Sequence, residues 1–158
     1  MKRIIFLVSL IFLATACNHQ AAKITSPPSP TYNYSHVLQV GPQTLMVEVA
    51  TSTPAMEQGL SDRTSMGQDQ GMLFDFGSGS WLYPSFWMKD MDFNLDFIWI
   101  EQNKIVGITS DVPAPTTADE SLPYYYPPSP VDEVLEVNAG WAQKNHIMLG
   151  DAVNLLRK

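Results

Sequence analysis

Leu95-Asp96-Phe97-Ile98-Trp99-Ile100 is the most apolar stretch of the chain beyond its N-terminal segment, and it limits what the rest can become. Six residues rich in Phe, Ile and Trp favour a buried strand over a helix. The segments around it are built on the same scale. Val37-Leu38-Gln39-Val40, a Gly41-Pro42 turn, and Leu45, Val47 and Val49 alternating with Met46 and Glu48 read as a β-hairpin. Gly71 to Phe76 reads as a short strand stopped by Gly77-Ser78-Gly79-Ser80. Ser85 to Met91 reads as another, with Phe86 and Met88 on one face and Trp87 and Lys89 on the other. Glu101 to Lys104 turns the central strand into Ile105-Val106-Gly107-Ile108, and Val134–Val137 and Ala152–Leu156 are the last two strands.

Two helices are expected, both short. Thr53 at the N-cap with Pro54 at the first helical position starts one, and Gly59 ends it. Asn138 caps the other, which runs through Trp141 to Lys144. Asp111 to Pro130 is a long loop with six prolines. Seven or eight short strands with two small helices predict a mainly-β fold, a compact β-sandwich or barrel-like domain.

The N-terminal residues have a different grammar. Lys2 and Arg3 precede an almost unbroken apolar run, Ile4 to Leu13, and the small residues Ala14-Thr15-Ala16. This is the pattern of a signal peptide, and the run is about half of what a membrane-spanning helix needs. Cys17, the only cysteine, follows at once and resembles the acylated cysteine of a bacterial lipobox, with Leu13 one place earlier than usual. The expectation is a leader over residues 1–16 and a lipid on Cys17, on the outer side of the cytoplasmic membrane or on an outer membrane. The alternative is ordinary cleavage after Ala-Thr-Ala and a soluble secreted protein. Either way no internal disulfide is left to form. Residues 17–35, with Ser26-Pro27-Pro28-Ser29-Pro30, read as a flexible tether reaching about 25 Å. Residues 36–158 then form a single domain.

Charge narrows the partners. Loss of Lys2 and Arg3 with the leader takes the formal charge from −7 to −9. An acidic surface repels phosphate backbones and anionic lipid heads, so nucleic acid is not an expected partner and membrane attachment falls to the lipid. His19, His36 and His146 are scattered, without a pair at helical ligand spacing, and give no support for zinc, haem or iron–sulfur. Asp90 and Asp92 share a strand face but lack the further oxygen ligands of a calcium loop. Neither a nucleophile elbow nor a phosphate-binding loop is present. No cofactor or metal is expected.

Several of these segments together resemble a known family. Gly59-Leu60 with Arg63, Gly71-Met72-Leu73-Phe74, Phe86-Trp87-Met88-Lys89, Leu95-Asp96, and Leu135 to Trp141 with Gly150-Asp151 occur in this order in the bacterial and archaeal "domain of unknown function 192" family. Asn94 stands where that family usually has proline, and Asn145-His146 where it has a glycine after the last helix. The resemblance implies a mainly-β, sandwich-like domain in exported proteins, often lipoproteins, and no established activity.

Arg63, Lys89, Asp96 and Glu136 are the polar residues inside those blocks. They are a candidate cluster: a shared cleft for a polar ligand, or an acid/base pair. Alternatively they are ion pairs and caps that tie loops to the sheet, with Lys89 lying over an aromatic ring. Trp81, Tyr83, Trp87 and Tyr124-Tyr125-Tyr126 are candidate aromatic contacts, although a small domain needs most of its aromatics for its core. Three consecutive tyrosines on a proline-rich loop cannot all point inward. Together these features favour a non-catalytic binding or accessory module for an envelope protein or glycan. The competing reading is an envelope hydrolase using Asp96 and Glu136 as a carboxylate pair.

Overall fold

A computed structural model describes residues 32–116 and 121–157. The leader, Cys17, His19 and most of the expected tether lie outside the described residues. Within them, no helix is long and apolar enough to cross a membrane.

β1 (His36–Val40) and β2 (Gln43–Ala50) form the expected hairpin, turning at Gly41 with φ 53°. α1 (Thr53–Gln58) follows at once. Its N-cap is Ser52, whose hydroxyl accepts from the Ala55 N–H, so the cap lies one residue before the Thr53 expected. Gly59 ends the helix as expected. The helix and the loop after it carry the chain to β3 (Gln70–Asp75), which lies parallel to β2. β4 (Leu95–Glu101) and β5 (Lys104–Val112) form a second hairpin through Gln102 and Asn103, at φ 47° and 61°. Both positive values suit a tight two-residue hairpin turn. β6 (Glu133–Asn138) inserts antiparallel between β4 and β3, and β7 (Val153–Arg157) pairs with β1 after the single turn of α2 (Trp141–Lys144).

The sheet order is β5-β4-β6-β3-β2-β1-β7. The sheet curls until its two edges meet at one end, where Lys104 bridges Ala152 and Gly150 N–H donates to Ile105 C=O at 2.8 Å. The result is a mainly-β half-barrel of seven strands, within the class the sequence predicts.

Two apolar clusters occupy its two faces. One draws a residue from every strand, including Leu38, Val47, Leu73, Ile98, Ile105, Leu135 and Val153, and so fills the concave side, where Trp141, Ala142 and Ile147 close it. The other lies on the convex side of the central strands: Met72, Phe74, Phe97, Trp99 and Val134 are covered by Leu60, Met66, Phe86, Met88 and Met91. β4 is therefore buried on both faces, which explains its unbroken apolar run.

The segment 85–91 is not a strand of the sheet. Its alternation is real, since Phe86 and Met88 are buried while Trp87 and Lys89 are exposed. It lies across the convex face, however, and forms only one bridge, Phe86 to Tyr125. The cap of α2 also differs from expectation. Asn138 donates instead to the carbonyls of Met66 and Gly67. The N-cap is Gly140 at φ 78°, and the N–H groups of Gly140 and Ala142 are taken by Asp96. After α2 the left-handed residue is His146 (φ 56°), while Asn145 is at φ −98°.

Candidate functional site

The strand register fixes which polar residues can meet. Glu48 of β2 lies opposite Met72, Met72 opposite Glu136, and Glu136 opposite Phe97. This row runs along the convex face. Asp96 lies opposite Val137, on the concave side with Ile98 and Ile100. The four candidate polar residues therefore do not share a cleft, and Asp96 and Glu136 cannot act as a carboxylate pair, because the sheet separates them.

Each of the four has its own setting. Asp96 is fully buried, and its carboxylate accepts backbone N–H bonds from Asp111 (2.9 Å), Gly140 (3.0 Å) and Ala142 (3.1 Å). It binds the end of β5 and the start of α2 to the middle of the sheet. Arg63, from the turn after α1, is also buried and forms a two-pronged pair with Glu48 at 2.7 and 3.1 Å. Its guanidinium donates to the Tyr34 hydroxyl at 3.1 Å and lies 3.9 Å from the centre of the Tyr32 ring. The last residues of the expected tether thus pack on the domain. Lys89 is exposed, with Nζ 5.5 Å above the Trp87 ring, and is no buried staple.

Glu136 differs from the other three. It is buried, yet no described residue donates a hydrogen bond to its carboxyl. Burial pushes its pKa up to about 8, and the nearby charge of Arg63 offsets this only in part. Its side chain forms part of the wall of a cavity of about 420 Å³. Met56 to Ser61, from α1 and its exit, form one wall, and Pro84 to Trp87 form another. Phe74, Phe76, Met91 and Tyr124 also line it, with Glu57 the second carboxyl. At the rim, Trp87 and Tyr124 stack with ring centres 5.8 Å apart and planes 21° apart. Tyr125 points inward against Phe97, while Tyr124 and Tyr126 are exposed, so the run of three tyrosines divides as expected.

A second carboxyl group is perturbed elsewhere. Glu133 is raised to about 7 by burial and then by the neighbouring charges of Asp75 and Asp132. Asp132 accepts from the Gln102 N–H, which ties this cluster to the β4–β5 turn. Among the described residues, no group of three or more His, Cys, Asp or Glu side chains could hold a metal ion.

Sequence reasoning missed Glu48, Glu57, Tyr32 and Tyr34. Alternation in β2 puts Glu48 on the face opposite Leu45 and Val47, but only the fold shows that Arg63 packs there and half-buries it. The signal for Glu57 was absent, because no local pattern shows where α1 docks.

The fold and cavity define a class, the curled mixed sheet whose convex face is roofed by its own connections to leave a pocket. The chain belongs to the family DUF192, an uncharacterized group, whose pattern it matches over residues 36–155. A crystal structure of a protein from Sinorhizobium meliloti 1021, provisionally described as a transcription regulator, superposes with a TM-score of 0.67 at 28% identity, over 80% of this chain and 98% of that one. A protein of unknown function from Novosphingobium aromaticivorans gives 0.64 at 25% identity, over 75% and 83%. No curated protein matches the chain.

Proposed function

We propose that this protein is a non-catalytic binding module of the cell envelope, anchored by lipid on Cys17, and that its ligand enters the Glu136 pocket. The observation that carries the reading is Glu136: a buried residue whose carboxyl receives no hydrogen bond from the described residues and belongs to the wall of a cavity with five aromatic lining residues. A perturbed acid in a concave, largely apolar site is a common mark of ligand binding. The hydrolase reading rested on pairing Glu136 with Asp96, which lies on the other face of the sheet. The regulator description of the Sinorhizobium relative raises nucleic acid as a partner, but a formal charge of −7 opposes a phosphate backbone. The ligand class that remains is an envelope component, either a partner protein or a glycan fragment.

Anchor and pocket are tested separately. The wild-type chain is expected to stay with membranes through high salt and high pH and to leave only with detergent, because two or more acyl chains anchor stably. Cys17→Ser is expected to remain unprocessed, or to be released as soluble domain. An unchanged mature mass and fractionation for Cys17→Ser would refute the anchor. For the pocket, detergent-extracted full-length protein is mixed with solubilised envelope fractions. Wild type is expected to retain a component that Trp87→Ala and Glu136→Gln release. Equal retention by all three proteins, or by none, refutes the pocket as the binding site.

A further inference from the structure

We infer that the Glu136 pocket takes a cation: an organic ammonium whose charged head meets the Glu136 carboxylate and whose apolar body fills the aromatic cavity. This rests on the pocket being a binding site and adds the charge of what it binds.

Three features point the same way. The lining contains two acids, Glu57 and Glu136, and no Lys, Arg or His, so an anionic head group would find no counter-charge inside the cavity, only Lys89 at its rim. The nearest cation, Arg63, is held by both oxygens of Glu48 and by Tyr34, and donates nothing to Glu136. The carboxyl therefore feels the charge of Arg63 but receives no hydrogen bond from it, and it belongs to the cavity wall. Five of the other lining residues are aromatic, Phe74, Phe76, Phe86, Trp87 and Tyr124, and aromatic rings attract ammonium groups. Lys89 already places its own ammonium over Trp87 at the rim.

A permanently charged probe separates this from capture of an uncharged ligand. Burial keeps Glu136 protonated up to about pH 8 in the free protein. A quaternary ammonium needs the carboxylate, so its binding releases a proton. Below about pH 8 its affinity should rise about tenfold per pH unit, and above that it should level off. An uncharged ligand that accepts a hydrogen bond from the protonated acid would follow the opposite course. The other charged or titratable groups around the pocket are Arg63 with Glu48 and Tyr34 behind it, Glu57 on α1, Tyr124 at the rim, and Lys89 over Trp87. A slope that vanishes in Glu136→Gln belongs to none of them.

The experiment titrates the full chain, in a nonionic detergent, with benzyltrimethylammonium, benzyl alcohol and benzoate from about pH 6 to 9, following tryptophan fluorescence. The cation should bind tightest and show the rising limb. Glu136→Gln should weaken it by roughly 10- to 100-fold and abolish the slope. Trp87→Ala, an exposed substitution that should fold in any case, should weaken it several-fold and keep the slope. Benzyl alcohol binding as tightly as the cation, or a cation affinity without slope, overturns the charge assignment and leaves the pocket standing. Failure of all three probes at every pH overturns both.

Discussion

On the concave side of the sheet Asp96 receives three backbone N–H groups, while on the convex side, one strand over, Glu136 receives none from the described residues. Both carboxyls are buried, and they lie on adjacent strands, Asp96 directly beside Val137. The difference is in what surrounds them. Asp96 sits where β5, the β6–α2 turn and α2 converge, so their backbone dipoles replace the water it lost. Glu136 faces a cavity, and the one cation near it is committed to Glu48. A buried carboxylate met by fixed donors holds a fold together, whereas a buried carboxyl without donors holds its proton and stays available to a ligand.

The largest expected effect tests the concave half. Asp96→Ala removes the acceptor of three N–H groups, that of Ala142 buried and those of Asp111 and Gly140 partly buried, and should cost about 3–5 kcal/mol in denaturant unfolding. A loss under about 1 kcal/mol would mean that those donors find other partners and that Asp96 is no keystone.

Glu136→Gln tests the convex half and should change stability in the opposite direction. A carboxyl whose pKa is raised on folding holds its proton more tightly in the folded chain. Its contribution is therefore complete below the unfolded value of 4.5 and is lost as pH climbs through about 8. Wild type should thus weaken steadily across that window. The glutamine variant should lose most of this slope, and above pH 8 it should be more stable than wild type by on the order of 2–4 kcal/mol, after the cost of burying an amide. The residual slope between 4.5 and about 7 belongs to Glu133, raised for the same reason and partly exposed. A pH-independent wild type, or a destabilised Glu136→Gln at pH 9, would show that Glu136 has a partner after all.

The asymmetry between these two acids explains what the sequence could reveal. The strands were legible because burial leaves a local trace: Leu45 and Val47 repeat at two residues, and β4 is apolar throughout because it is covered on both sides. Phe86, Met88, Leu95, Phe97, Ile98, Leu135 and Val137, all from segments whose apolar pattern is visible in the sequence, are buried. Pairing leaves no such trace, so the alternation of residues 85–91 reported a buried face and could not report the missing strand neighbours. The cap on α2 came from Asp96, 46 residues before Ala142, where a local reading could only propose Asn138. The polar cluster failed for the same reason. Of the candidate cluster Arg63, Lys89, Asp96 and Glu136, three are buried and Lys89 is exposed, and only the strand register shows that Asp96 and Glu136 face apart.

The smallest expected effect concerns Lys89, the candidate that burial does not touch. Its ammonium lies over Trp87 in contact with solvent, where a cation–π contact is worth about 0.5–1 kcal/mol. Lys89→Ala should therefore fall within about 1 kcal/mol of wild type in denaturant unfolding, close to the exposed control Lys104→Ala. A loss near the 3–5 kcal/mol typical of a broken buried ion pair would place Lys89 in the interior network and blur the contrast between the two faces. The same variant also bears on the pocket. Lys89 is a like charge at the rim for any incoming ammonium, and its face of Trp87 becomes free on truncation. Benzyltrimethylammonium should then bind slightly tighter to Lys89→Ala, by no more than about the tenfold that 1.4 kcal/mol represents. Tighter binding with unchanged stability would separate the two roles of the convex face, because the rim tunes the ligand while the fold is held from the other side.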